Sequence, residues 1–120
     1  MRWLKKVYLN LTSLKIFKWL LVFIFIANLS DGLLTIIWLE HRVALEANPL
    51  MAELYVFSPV LFMFIKTVIV LLALVGLYKV SSRAMARILI WPVALIYAYI
   101  LFIHCVGAIE VANQVAILQL

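Results

Sequence analysis

One cysteine, Cys105, stands in the whole chain, alongside only three glycines, three prolines and five acidic residues. A lone cysteine permits no disulfide within the chain and no cysteine pair for a metal, which excludes the disulfide-stapled and zinc-finger classes. It is read as a packing residue, the usual place of a free thiol. No Gly-x-Ser-x-Gly, Ser-x-x-Lys or phosphate-cradling glycine loop occurs, so no catalytic or cofactor-binding residue is assigned. His41, Glu46, Asp31 and His104 are ligand types, but none of them is spaced as a specific metal site requires, and no metal is expected. No internal repeat or low-complexity linker is visible.

What the chain has is apolar surface. Of its 120 residues, 69% are hydrophobic, with a mean hydropathy of +1.23, far outside the usual soluble mixture. These values indicate an integral membrane protein of one domain. The formal charge of +5 would suggest nucleic acid in a soluble protein. Here the cations flank apolar runs, a pattern that orients a chain in a bilayer. The expected partner is therefore the lipid bilayer and not nucleic acid.

In chain order, residues 1–18 form a basic amphipathic segment. Trp3, Leu4, Val7, Tyr8, Leu11 and Leu14 share one helical stripe opposite Arg2, Lys6, Asn10 and Ser13, as in an interfacial helix. Residues 19–110 form a membrane domain with spans at about 19–39, 59–78 and 88–109, each long enough for the hydrocarbon core. Trp19 and Trp38 mark the two rims of the first span. Asn48-Pro49 and Ser58-Pro59 each pair an N-cap residue with proline at the first helical position. They predict a short outer-loop helix from Pro49 to about Val56 and a second span from Pro59. Trp91-Pro92 falls near the expected start of the third span, where proline costs least. Residues 111–120 are an apolar tail that prolongs the last helix or docks on a neighbour. Gly32, Gly76 and Gly107, one per span, are read as points of close helix approach. The fold class is all-α: a three-span transmembrane bundle with an N-terminal interfacial helix and a short outer-loop helix.

Five basic residues precede the first span and three lie between the second and third, whereas the first loop has only Arg42. The positive-inside rule then predicts a multi-pass protein of a prokaryotic cytoplasmic membrane with its N-terminus in the cytoplasm and its C-terminus outside. A basic start before an apolar run also fits a signal peptide, but the run continues through Ile36, Ile37 and Leu39, past where a cleaved segment ends.

The polar residues inside the spans are the candidate site. Asn28, Asp31, Thr35 and Trp38 recur at intervals of three, four and three, which places them on one helix face. Counted from the outer rim at 1.5 Å per residue, Asp31 lies roughly 12 Å deep, Lys66 roughly 10 Å and His104 roughly 9 Å. A lone charge at bilayer depth costs about 2.5 to 3.5 kcal/mol on insertion scales. Asp31 and Lys66 are thus expected as a buried pair, with Asn28, Thr35 and His104 in the same polar network. Glu46, Asn48 and Pro49 are expected as a cap from the outer loop.

The same residues carry a resemblance. Asn28-x-x-Asp31-x-x-x-Thr35, then Glu46-x-Asn48-Pro49-Leu50-Met51, then Ser58-Pro59 with Phe64-x-Lys66, and His104 in the last span, resemble a family of small prokaryotic multi-span membrane proteins catalogued as a domain of unknown function. The resemblance covers about residues 20 to 108. It implies that Asp31, Glu46, Asn48, Pro49 and Lys66 form one shared constellation, and it carries no activity with it. The expected role is a non-enzymatic structural or accessory subunit. The alternative is a proton or small-ion transporter or channel-forming oligomer, and a membrane-embedded enzyme is third. A homo-oligomer or a larger membrane complex is the assembly such a chain requires for conduction, because three helices enclose too little volume for a pore.

Overall fold

The computed structural model describes residues 1–40 and 49–120. Their elements are all helices: α1 Arg2–Leu11, α2 Leu14–Glu40, α3 Pro49–Phe57, α4 Pro59–Lys79 and α5 Ala84–Leu118. Three of these, α2, α4 and α5, are long and apolar enough to cross a membrane. The protein is a multi-pass helical bundle.

The breaks between helices follow from local chemistry. At the junction of α1 and α2, the Thr12 hydroxyl donates to the Tyr8 carbonyl at 2.7 Å, closing the first helix. The Ser13 hydroxyl accepts from Ile16 N–H at 3.3 Å, satisfying one of the amides that a helix start leaves free. Ser58 does the same for α4: extended at φ −164° and ψ 119°, it accepts from Leu61 N–H with Pro59 in the first turn. Proline there loses nothing, since its missing N–H would have had no partner.

Two helix ends differ from the sequence reading. The first membrane helix starts at Leu14, five residues before Trp19, and α5 starts at Ala84, four before Ile88. Pro92 is consequently the ninth residue of α5 and lies inside it. It removes the N–H that would have bonded to the Ile88 carbonyl. The basic segment Arg83 to Arg87 reads as a loop by charge, but Ala84, Met85 and Ala86 are good helix formers and extend the helix through it. At its other end α5 continues without a break through the apolar tail to Leu118. Its 35 residues amount to about 52 Å, well beyond the roughly 30 Å hydrocarbon thickness.

Helix α2 is the centre of the bundle. It packs on both α5 and α4, while α3 packs on α4. One half of the interior is apolar: Phe17, Ile24, Leu74, Ala86, Ile90 and Ala94 are buried together, with Leu20, Phe25, Val70 and Tyr97 against them. Toward the other end α2 and α4 approach closely at Gly32, where an added Cβ would lie 2.5 Å from Met63 Sδ and 3.0 Å from its Cε. At Gly76 and Gly107 an added Cβ would meet nothing within 4 Å among the described residues, so neither position is one of close helix approach there. Large apolar residues such as Leu72, Leu95, Tyr99, Phe102 and Ile109 are exposed on the outer faces, as expected where lipid replaces water. α1 has no buried residue and is held to α5 by the Trp91 indole, which donates to the Leu11 carbonyl at 3.0 Å.

Ser58→Ala should remove the α4 cap and lower stability by about 1 kcal/mol, while Ser58→Asp should retain most of it. Unfolding titrations in mixed detergent micelles measure both.

Candidate functional site

The second half of the interior is polar, and it is organised on α2. Asn28 and Asp31, one turn apart, are both buried. The two oxygens of Asp31 are divided between the two neighbouring spans. Oδ2 pairs with the Lys66 ammonium of α4, and Oδ1 lies 2.7 Å from Nε2 of His104 on α5. The other ring nitrogen of His104, Nδ1, accepts from the Trp38 indole N–H at 2.9 Å. Trp38 lies two turns beyond Asp31 on α2, so α2 contacts the imidazole from both sides.

This arrangement assigns the protons. An indole nitrogen can only donate, so Nδ1 is an acceptor without hydrogen. Nε2 therefore carries the ring proton and donates to the carboxylate. His104 is a neutral imidazole in one tautomer, and Lys66 is the cation that balances Asp31. A neutral ion pair with its remaining lone pairs hydrogen-bonded is the form in which charge is tolerated at bilayer depth. The Lys66 ammonium also lies 5.9 Å from the centroid of the buried Phe62 ring, at the limit of a cation–π contact.

A second, weaker polar layer lies one turn away. The Tyr97 hydroxyl of α5 donates to Asn28 Oδ1 at 3.4 Å, and Asn28 Nδ2 has no partner. Thr35 is half-buried one turn along α2 from Asp31 and takes no part in the hydrogen bonds that join Trp38, His104, Asp31 and Lys66. Glu46 and Asn48, expected as a cap over the outer end, lie outside the described residues, and Pro49 is the first residue of α3.

Tyr55 on α3 ties this end together. Its hydroxyl donates to Glu40 at the end of α2 at 2.7 Å, and its ring meets Phe62 of α4 edge-on, with centroids 5.9 Å apart at 88°. The hydrogen bond to the Glu40 carboxylate, with a further contribution from desolvation, raises the phenol above its ordinary pKa.

Residues 22–110 match the family described as Domain of unknown function (DUF5658). The chain belongs to this family. The matched region contains every member of the polar cluster and leaves out α1, the first two turns of α2 and the end of α5. Comparison with curated proteins and with solved structures returns no match.

Sequence reasoning missed three members of the site: Trp38 as the partner of His104, Tyr97 as the partner of Asn28, and the Tyr55 strut. The signal for Trp38 was present, because it shares a face with Asp31, but a tryptophan near a span end also reads as a rim marker. Tyr97 sits seven residues before His104 in the same helix, two turns away on the same face. That spacing was the available signal. Among the described residues no cluster of three His, Cys, Asp or Glu side chains is arranged to hold a metal ion.

The tautomer is directly measurable. Nitrogen-15 spectra of His104 should show a neutral ring protonated at Nε2. Trp38→Phe should leave Nδ1 without its donor, mix the two tautomers and cost about 1 to 3 kcal/mol of stability.

Proposed function

We propose that this chain is a non-enzymatic structural or accessory subunit of a prokaryotic cytoplasmic membrane, built around a polar core that sets the register of its three spans. The observation that carries this reading is the division of Asp31 between Lys66 of α4 and His104 of α5. A single carboxylate satisfied from two other helices specifies both neighbours at once. Slippage of either helix by one turn, about 5.4 Å, would strand a charge or a polar nitrogen in an apolar medium. Buried polar groups that specify register are attested in helical assemblies. The outer faces of α4 and α5 are apolar and exposed among the described residues, which suits lipid or another subunit. The excess of cations at the α1 end supports a cytoplasmic N-terminus and an outer C-terminus.

The test is a double-mutant cycle. Asp31→Asn and Lys66→Met should each destabilise the protein by about 3 kcal/mol, because each leaves its partner unpaired. The double variant should regain about 1 to 3 kcal/mol relative to the sum. Strict additivity would count against a register lock.

The second reading is translocation of protons or a small ion by an oligomer. It is favoured by the run of titratable groups from His104 through Asp31 to Lys66. Protein reconstituted in liposomes should then carry a gradient-driven flux that Asp31→Asn abolishes. Absence of flux under proton, sodium and potassium gradients would remove this reading.

A further inference from the structure

A groove of about 460 Å³ runs between α1 and α5, away from the polar cluster. Tyr8 and Leu11 form one wall and Ile88, Trp91, Pro92 and Leu95 the other, and the Trp91 to Leu11 hydrogen bond keeps the walls together. Its lining is almost wholly apolar, and its size falls within the range of small-molecule pockets. From Ile88 to Leu95 the α5 wall rises about 10 Å along the helix axis, so the groove extends from the membrane surface into the hydrocarbon.

Arg87 immediately precedes Ile88 of the α5 wall and lies one turn before Trp91, on the same helix face. Its Nε is buried and has no hydrogen-bond partner. A guanidinium nitrogen cut off from both water and an acceptor is costly, and an anion with geometrically matched oxygens satisfies it best. Among the described residues no carboxylate bonds it. Eight of the ten cations, Arg2, Lys5, Lys6, Lys15, Lys18, Lys79, Arg83 and Arg87, lie in α1, the first two turns of α2 and the stretch from the last residue of α4 to the first turn of α5. No aspartate or glutamate lies in those segments.

We infer that this groove binds one anionic glycerophospholipid, its phosphate on Arg87 and an acyl chain along the α1–α5 walls. Charge complementarity selects the headgroup, and the apolar lining selects a lipid over a free phosphate. The site is independent of the subunit role proposed above, since it uses none of the residues of the polar cluster.

The test is native mass spectrometry of the delipidated full chain in detergent, titrated with phosphatidylglycerol and phosphatidylcholine of identical acyl chains. Wild-type protein should retain the first over the second by about fivefold, the preference expected from one basic residue at a membrane surface. Arg87→Gln should bring phosphatidylglycerol down to the phosphatidylcholine level, Arg87→Lys should keep part of the preference, and Leu95→Trp, which fills the groove, should weaken both lipids. Equal retention of the two lipids by wild-type protein would overturn the inference. So would an undiminished preference in Arg87→Gln, unchanged binding in Leu95→Trp, or displacement of phosphatidylglycerol by excess inorganic phosphate. Should Arg87→Gln fail to fold by circular dichroism, the wild-type comparison and the other two variants still decide the matter.

Discussion

A carboxylate offers two oxygens, and in this bundle each is taken by a different helix. Asp31 on α2 is paired with Lys66 on α4 and hydrogen-bonded to His104 on α5. The central helix packs on each of the other two spans, and Asp31 is the polar group shared across both interfaces. Apolar packing alone discriminates poorly between registers in a membrane, because lipid tails are as apolar as leucine and solvate a displaced helix almost equally well. A shared ion does discriminate. It converts an interface tolerant of sliding into one with a single satisfied arrangement.

The bundle divides its interior accordingly. Near α1, Phe17, Ile24, Leu74, Ala86, Ile90 and Ala94 make a dry contact that fills space. Near α3, the polar cluster supplies direction, and Gly32 lets α4 come close enough for Lys66 to reach across, with Met63 lying over the vacant Cβ position. The Tyr55 strut then joins the ends of α2 and α4 through Glu40 and Phe62. Dispersion and electrostatics are thus separated along the membrane normal.

Depth is the quantity a sequence of spans yields most directly, because helix rise is constant and the rims are marked by charge and tryptophan. Asp31, Lys66 and His104 could therefore be counted to a common level without knowing how the helices face one another. Rotation about each helix axis could not be counted. It is set by packing, and it determines that Trp38 meets His104 and that Tyr97 meets Asn28. The ends of α5 were obscured for another reason. Arg83 and Arg87 carry the charge of a loop, yet a helix emerging from a bilayer tolerates arginine at its wet end, so Pro92 lies about one turn deeper than a helix starting at Ile88 would put it. The three glycines looked equivalent in sequence, and among the described residues only Gly32 faces a neighbouring helix closely, because contact depends on facing and not on composition.

The indole of Trp38 has a consequence for proton movement. A Grotthuss wire advances when each group accepts a proton on one side and releases one on the other. Imidazole can do this, but an indole nitrogen cannot accept. With Nδ1 held by Trp38, His104 has no exit, and the run of donors converges on Asp31 as a sink without an outlet on that side. The Lys66 ammonium likewise has no lone pair to accept with, so a proton reaching Asp31 would have to wait for Lys66 to release one of its own or for the imidazole ring to turn away from Trp38, which makes that single hydrogen bond a latch on the cluster.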